Sequence, residues 1–596
     1  MTSEQGQETP MEKYIRFKNN IKLWYAEMER AGLTADEVKT LEPYFKKSYG
    51  VPPSQEQMMQ MLMDENICGF SLKDANSARK IVGKKQMEKI PALKEQVLNS
   101  AKSPALGRYV WFQGIGPQMG YSFSIIHALA YSFIGYQTAY IATEWDPIFW
   151  NTACLIVNSG SLESDDNEYL EDDDGDIIGV QKRETATDYA KVAKAIGEII
   201  SSGIKVSLID INKSNYGFEP DLENNQILFG MKALNGVGAP IIEKIIANRP
   251  YYSFKDFMRR CPLNKTAMIS LIKSGAFDAL AKAAAAELNI DPRILIMIQY
   301  LSIASEPKQR LNLQNMNSLI ERNLIPSELD FEKKIFKFNK FCKKDKVEDY
   351  YRISSIMYDF LEREAPELID IVQISHGDYF IKQTTWDKIY KQKMDKVRIY
   401  LQTHQQEMLQ IYNQQLFMDL WNKYAQGTIS AWEMESLCFY YHEHELSHIN
   451  SNKYGLINFK DLPSDPPVEY FFKRNNKQIP IYKLYRIAGT VISKNDTRHS
   501  ISLLTTTGVV NVKFTKEFYA MYGRQISELQ ADGTKKVKEK GWFVRGTKLM
   551  VTGMRRDDTF NAKRYSNTPG HTLYKITNIV GQNIEITSKR YGQADE

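Results

Sequence analysis

Apolar positions recur at i, i+3 and i+4 over Glu12–Ala31 and again over Gln55–Met63, with Tyr49-Gly50-Val51-Pro52-Pro53 between them. That period gives a helix one dry and one wet face, and the Gly-Pro cluster predicts a turn, so residues 11–100 read as mainly helical. From Tyr121 to Asn158 the polar face disappears altogether (YSFSIIHALAYSFIGYQTAYIATEWDPIFWNTACLIVN). A helix that is apolar all round is normally buried. Two buried helices are therefore expected, broken near Asp146-Pro147, where the proline ring cannot continue the first. Helical period returns at Thr187–Ser202, ahead of a short strand-like run, Ile204–Ile209.

The texture changes at Ile227-Leu228-Phe229-Gly230, which leads through Leu234-Asn235-Gly236-Val237-Gly238 into a predicted helix, Ala239–Asn248. Pro250 stops that helix and Phe254–Arg260 starts another. Residues 281–425 read as largely helical. Within them, Phe331–Lys346 interleaves seven lysines with phenylalanines and predicts an amphipathic helix with its lysines outward. Beyond residue 480 the period shortens to two: Leu484–Ser493, Ser500–Lys513, Lys548–Met554 and Thr572–Ile579 are β-branched and alternating. Four or five short strands in so small a span predict a β-barrel or sandwich.

The 596 residues, at about 150 per domain, set a prior of about four domains. Five cysteines lie far apart, with no CxxC knuckle and no disulfide framework. No apolar run reaches the ~18 residues of a membrane span, and the opening MTSEQGQETPMEKY is polar, so no membrane partner is expected. A net charge of +5 names no partner, but the charge is unevenly placed. Residues 481–596 hold 20 Lys+Arg against 10 Asp+Glu, residues 71–102 hold 8 against 3, and Glu163–Asp176 holds nine acids and no base. Segregated basic patches bind polyanions even on a near-neutral chain, and they also occur as plain solvated surface.

Two glycines in Leu234–Gly238 let the backbone approach a phosphate while the next helix aims its N–H groups at it, the geometry of a helix-hairpin-helix turn. The same five residues also fit a turn with no ligand. Arg79, Lys80, Lys84 and Lys85 crowd around Gly83 and can converge on a phosphate group or form a wet face. His127 sits among apolar residues, where a satisfied core histidine is the ordinary outcome. His442, His444 and His448 lack accompanying ligands for zinc. The acids of 163–176 show no strand pattern to hold paired metals rigidly, so an exposed, self-repelling loop is expected, and no metal site is assigned to this chain. No Walker-type phosphate loop or Ser/His/Asp arrangement is present, and no catalytic residue is assigned.

Several blocks together resemble the C-terminal half of the bacterial replicative DNA polymerase III alpha subunit, a C-family DNA polymerase. They are Tyr49–Pro52 with Gln55–Gln60, Ala78–Lys85, His127–Tyr131, Tyr136–Tyr140, Gly203–Val206, Asp210–Asn212, Phe229–Gly238, Lys273–Asp278, and Glu433–Tyr440 with His444 and Leu446. The likeness covers residues 45–280 well, 430–580 loosely and 281–425 poorly. It implies a mainly α, multidomain chain with a C-terminal all-β barrel of the OB type. The implied domains are a helical lead-in at 1–45, a fingers-like domain at 46–225 with an acidic insertion at 161–186, a helix-hairpin-helix region at 226–280, a helical clamp-binding or insert region at 281–450, and an OB-fold at 480–585.

The resemblance further implies that Arg79, Lys80, Lys84, Lys85 and His127 face the triphosphate of an incoming dNTP. Lys232, Gly236 and Gly238 would hold DNA, as would the barrel cations Lys494, Arg498, Lys513, Arg555 and Arg556. Gln415, Leu416, Met418 and Leu420 have the character of a sliding-clamp peptide, and the same residues also fit buried helix core. The family's catalytic aspartates lie in a palm domain upstream of the first matching block. Mg2+ is therefore expected to be held by a palm-containing partner chain, with primer-template DNA as substrate and a cytoplasmic location, that of the host if the gene is a phage's. The family's Asn-Lys-Ser-His is Ser124-Ile125-Ile126-His127 here, so one lysine near the nucleotide is missing. The alternative is a non-enzymatic DNA-binding and clamp-tethering protein. A nuclease acting through Glu163–Asp176 is a third reading.

Overall fold

A computed structural model describes residues 8–592 apart from 52–53, 120–123, 161–166, 172–176, 183–185, 475–476 and 531–533. The chain divides into two compact units, Met1–Pro147 and Ile148–Glu596. That division falls at residue 147, within the stretch 46–225 that the resemblance implies as a fingers-like domain.

The first unit is helical: α1 (Pro10–Asn19), α2 (Lys22–Arg30), α3 (Ala35–Phe45), α4 (Gln55–Met63), α5 (Leu72–Gly83), α6 (Ile90–Ser100), α7 (Pro104–Tyr109) and α8 (Ile125–Glu144). Thr9 and Thr34 start α1 and α3 with capping boxes, each side chain accepting from an N3 backbone N–H while the N3 glutamate reaches back. Phe17, Trp24, Phe45, Met58, Leu62, Val97 and Trp111 belong to one core, and Trp24 donates its Nε1–H to Tyr109 at 3.0 Å. Helices α1 to α3 thus share a core with α4 to α7. The twenty residues of α8 are helical as predicted, but none is buried. Ile126, Leu129, Tyr131, Phe133, Ile134 and Tyr136 are exposed, so the expectation of a buried helix fails at this element.

The second unit opens with α9 (Pro147–Ser159), which does bury Ile148 and Leu155. Within the acidic stretch, β1 (Asn167–Glu171) and β2 (Ile177–Lys182) pair antiparallel where an irregular loop is predicted. The remainder of 161–186 lies largely outside the described residues. Next come α10 (Tyr189–Ser201), β3 (Lys205–Val206), β4 (Glu219–Asp221), β5 (Gln226–Leu228), α11 (Ala239–Ala247), α12 (Phe254–Arg260), α13 (Lys265–Lys273), α14 (Asp278–Glu287) and α15 (Pro292–Ala304). One large core runs from Ile148 to Leu301 and takes in Trp432 and Phe439 from far along the chain.

A second core holds α16 (Met316–Glu321), α17 (Asp330–Cys342), β6 (Lys346–Val347), β7 (Tyr350–Ile353), α18 (Ser355–Glu364), β8 (Val372–Ser375), β9 (Asp378–Lys382), α19 (Gln383–Thr403) and much of α20 (Gln405–Tyr424). The helix α17 buries Ile335, Phe338 and Cys342 with its lysines on the wetter side, as predicted. The four-stranded sheet β6-β7-β9-β8 corrects the all-helical reading of this region. Its strands run two to five residues, too short for a period of two to stand out from the flanking helices.

After α21 (Ile429–Ser436) and α22 (Ser451–Tyr454) come two hairpin strands, β10 (Val468–Arg474) and β11 (Lys477–Tyr482), and then β12 (Tyr485–Asn495), β13 (Ser500–Thr505), β14 (Gly508–Lys513), α23 (Lys516–Gly523), β15 (Ile526–Leu529), β16 (Lys535–Glu539), β17 (Lys548–Arg556), β18 (Thr559–Ala562), β19 (Leu573–Val580) and β20 (Asn583–Thr587). The sheet runs β12-β13-β14-β18-β17, and β17 pairs back onto β12, so five strands close on themselves. Of the barrel or sandwich that the period-two runs predict, a closed all-β barrel is present, filled by Ile487, Val491, Leu503, Val512, Leu549, Val551 and Phe560. Closure removes the free edges that a five-stranded sheet would otherwise expose.

Candidate nucleic-acid interface

In the first unit the first turn of α4 holds Arg79 and the start of the helix that carries His127. Gln55 there accepts from Arg79 Nη1 at 3.2 Å, and Arg79 Nε also donates to Asn76 at 3.0 Å. The neighbouring Glu56 accepts the backbone N–H of Ile125 at 2.8 Å, which fixes the N-terminus of the helix carrying His127. Burial raises the Glu56 pKa, but the hydrogen bonds from Ser124 and Ile125 outweigh it and hold the carboxyl below its ordinary range. One turn thus anchors both the basic helix and the start of α8. Lys80, Lys84 and Lys85 are exposed, and the last two stand at the C-terminal end of α5, where cations also favour the helix dipole. His127 is exposed with its ring edge-on to Tyr131, so it is not the core histidine that its apolar neighbours predict.

In the second unit, Gly236 (φ +85°) and the N-cap Gly238 are exposed at the start of α11. The turn is held from behind. Asn235 donates its backbone N–H to Ser436 O at 2.9 Å and its side-chain amide to Glu435 O at 3.2 Å, while Ser270 Oγ donates to Asn235 O. Lys232 lies beside the turn, half-buried with its Nζ over the Tyr216 ring. The hairpin departs from two full helices: a single 3-10 turn, Met231–Ala233, precedes it.

An ion-pair network braces this turn. The buried Arg293 donates to Asp278 and to Glu433, each at 2.9 Å, and Lys273 pairs with Glu435. Glu433 also accepts the backbone N–H groups of Tyr441 and His442 at 3.0 Å and the His442 ring at 2.6 Å. Burial pushes the Asp278 carboxyl up to about 6, although Arg293 beside it works the other way. Two of the blocks carrying the resemblance, Lys273–Asp278 and Glu433–Tyr440, are therefore in contact through side chains. One general signal was present: charged residues stand inside otherwise apolar helices, and such charges are paired when buried.

The three histidines have separate partners. His442 is on Glu433, His448 is 2.6 Å from Glu443, and His444 donates Nε2–H to Leu504 O while its Nδ1 accepts from Leu446 N. Among the described residues no cluster of three or more His, Cys, Asp or Glu is arranged to hold a metal ion.

The barrel cations fall into two groups. Lys494, Arg498 and Lys513 sit around the β12–β13 turn, exposed, with Lys494 paired to Asp496 at 3.0 Å. Arg555 and Arg556 sit at the β17–β18 turn. Arg555 donates to the backbone oxygens of Leu462, Asp557 and Phe459, so it braces the barrel against the preceding loop instead of facing outward. A cleft of about 590 Å3 lies between the hairpin turn and the barrel, with Asn235, Met434 and Glu435 on one wall and Lys540, Arg545, Lys548 and Lys575 on the other. Lys548 is paired with Glu445 at 3.0 Å, and Arg545 is held over the Tyr189 ring with its charge intact, beside Lys540 and Lys575. None of these four stands out in the sequence, because they lie on separate strands and loops that only the fold brings to one wall.

Gln415, Leu416, Met418 and Leu420 lie in the middle of α20, not in an extended peptide. Leu416 packs on one core and Leu420 on another, while Met418 is 41% exposed. The two leucines are therefore half-buried against different cores, and the four residues form one stretch of helix. No helix among the described residues is long and apolar enough to cross a membrane.

Residues 5–104 match the finger domain of the bacterial DNA polymerase III alpha subunit, and residues 203–286 match a helix-hairpin-helix motif. The chain is 37% identical over 602 aligned positions to a probable DNA polymerase, YorL, of Bacillus subtilis, covering 98% of this chain and 44% of that one. The same figures hold for a DNA-directed DNA polymerase of Bacillus phage SPbeta. Identity to the DNA polymerase III alpha subunit of Thermus aquaticus is 31% over 264 positions, 43% of this chain and 19% of the other. The chain spans less than half the length of these curated relatives. With finger and hairpin domains in that order and a closed barrel after them, it resembles the C-terminal part of a C-family DNA polymerase, the DNA polymerase III alpha subunit.

Proposed function

We propose that this chain is the fingers, helix-hairpin-helix and barrel portion of a replicative DNA polymerase. It would close over primer-template DNA and an incoming dNTP while a palm-bearing polypeptide supplies the catalytic aspartates and their Mg2+. The observation that carries the reading is the similarity to DNA polymerases along the whole of this chain, joined to an exposed Gly-rich turn that opens beside a lysine-walled cleft. In this reading Gly236 and Gly238 approach the duplex backbone and Lys540 and Lys575 extend the contact, giving affinity without sequence preference. Lys80, Lys84 and Lys85 would meet the triphosphate, with Arg79 holding the basic helix on α4. The chemistry would be attack of the primer 3′-OH on the α-phosphate with pyrophosphate leaving, and Mg2+ held by the palm aspartates would supply charge stabilisation. The apolar surface of α8 supports a palm-bearing partner, because a helix apolar all round is stable when covered. A location in the cytoplasm, where replication partners reside, belongs to the same reading.

Primer extension tests it. Purified chain alone should extend nothing, and a mixture with a palm-bearing polypeptide should extend a primed template in the presence of Mg2+ and dNTP. DNA binding without extension in any mixture would favour a non-enzymatic DNA-binding role, and DNA cleavage by the chain alone would overturn both. Adding a sliding clamp should lengthen the products, and a Gln415→Ala/Met418→Ala chain should lose that gain if α20 docks the clamp.

A further inference from the structure

The core that runs from Leu311 to Tyr412 lies outside both matched family models, since the finger match ends at residue 104 and the hairpin match at residue 286. Its charge is segregated. Residues 331–346, which include most of α17, hold seven lysines against Glu332 and Asp345. Residues 355–371, which include α18, hold five acids against Arg363 alone. A surface that needs only solubility intersperses both signs, whereas one that holds a polyanion gathers one sign on one side.

Helix α17 is held from its inner side. Ile335, Phe338 and Cys342 are buried, the Phe338 ring lies 5.0 Å from that of Trp386, and Trp386 donates its Nε1–H to Asn339 at 2.9 Å. The acids beside the helix are engaged elsewhere: Asp330 with Lys333, Glu364 with Lys334, Glu332 with Lys396 at 3.4 Å, Asp387 with Lys343 at 3.4 Å and Asp345 with Arg352 at 2.8 Å. Three lysines remain on the outer face. Lys337, Lys340 and Lys344 are exposed, stand at i, i+3 and i+7, and make no ion pair among the described residues. They cover about 10 Å of helix axis. The helix dipole favours cations near the C-terminal end, which accounts for Lys340 and Lys344 but not for Lys337. Like charges one turn apart repel, so the stripe is a cost until a counter-charge covers it. Lys344 sits 5.0 Å over the Phe341 ring, which helps to fix its ammonium group.

The stripe is also anchored to the body that carries the hairpin turn. Arg322 pairs with Asp419 at 2.6 Å, and the Asn413 side chain exchanges hydrogen bonds with the Lys308 backbone at 2.8 and 2.9 Å. Leu420, on the same α20, packs on the core that holds Val237. We propose that Lys337, Lys340 and Lys344 form a second contact for the duplex backbone, separate from the cleft between the hairpin turn and the barrel. Duplex DNA carries one negative charge per about 1.7 Å of axis, so a face of this length meets phosphates in any register and any sequence. A single strand carries about half that charge density. The inference rests on the reading of this chain as a DNA-binding polymerase part, and adds to it a contact in a region that the matched family models leave unassigned.

The test measures the affinity of the full chain and of a Lys337→Gln/Lys340→Gln/Lys344→Gln chain for a labelled duplex of about 30 base pairs, by fluorescence anisotropy across a salt series. Loss of three phosphate contacts should make the slope of log affinity against log salt about 2.7 units shallower, with the circular dichroism spectrum unchanged. A Lys337→Arg/Lys340→Arg/Lys344→Arg chain should keep the unmodified slope. Combined with Lys540→Ala/Lys575→Ala, the changes in slope should add, because the two sites share no partner. An unchanged slope in the glutamine chain overturns the proposal, and a sum well short of additive overturns the claim of a second contact. A loss seen only with polyglutamate as the probe would make the stripe a face for an acidic polypeptide and overturns it too. If the unmodified chain binds no duplex, the DNA-binding reading falls and this contact with it, whereas duplex binding that ignores the three lysines removes only this contact.

Discussion

Arg293, Glu433 and His444 show how single residues carry weight that their sequence context hides. Arg293 and Glu433 are buried charges whose worth lies in mutual pairing. Removing one strands the other, which costs several kcal/mol, about 3 to 5 in comparable cases. His444 is neutral by construction: its Nε2–H donates to Leu504 O and its Nδ1 accepts from Leu446 N, so a second ring proton would destroy an accepting site. Burial accordingly pushes its pKa down to about 4. Because the folded value lies below the unfolded one of about 6.5, the stabilisation is complete above that pH and is lost as pH falls through 6.5 toward 4. A His444→Gln chain lacks this titration. The stability gap between the two chains, measured by urea unfolding, should narrow by about 3 kcal/mol between pH 7 and pH 4. A gap independent of pH would show that His444 contributes only by packing.

Among elements, the turn between α13 and α14 tolerates substitution poorly. Gly275 sits at φ +85°, and a Cβ there would stand 2.7 Å from Asp278 Oδ2 and 2.9 Å from the Arg293 guanidinium. Gly377 has the same φ, with nothing within 4 Å of its would-be Cβ. Alanine at Gly377 meets only the left-handed backbone strain, about 1 kcal/mol, while alanine at Gly275 must also displace a buried ion pair and should cost about 3 kcal/mol or more. Urea midpoints of the two variants check this, and equal losses would refute the crowding argument. Elements were legible in the sequence wherever local pattern governs them: α4, α11, α12, α17 and the long barrel strands follow their periods closely. The sheet β6-β7-β9-β8 was not, because its strands are too short to show a period. The paired strands in the acidic stretch were missed because charge density there obscures any alternation.

At the scale of the whole molecule, the cleft between the hairpin turn and the barrel decides how DNA binding should respond to salt. Each phosphate neutralised by a lysine contributes about 0.9 to the slope of log affinity against log salt. A Lys540→Ala/Lys575→Ala chain should therefore bind duplex DNA with a slope about 2 units shallower than the unmodified chain. An unchanged slope would remove the cleft from the DNA path. The net charge of +5 conceals this wall, because its lysines are separated along the chain and partly offset by Glu435 and Glu445.

By itself the sequence determined most of the helices, the long strands of the C-terminal region and the family likeness, since these depend on local period and on blocks of residues in fixed order. Only the tertiary structure decided that α8 stays uncovered, that Leu416 and Leu420 pack against two different cores, that Arg555 is a brace, and that Asn235 meets Ser436 from a distant part of the chain. The reason is physical. Period reports whether a residue prefers water or an apolar neighbour, whereas partnership depends on which distant surface the fold brings within hydrogen-bonding or van der Waals reach.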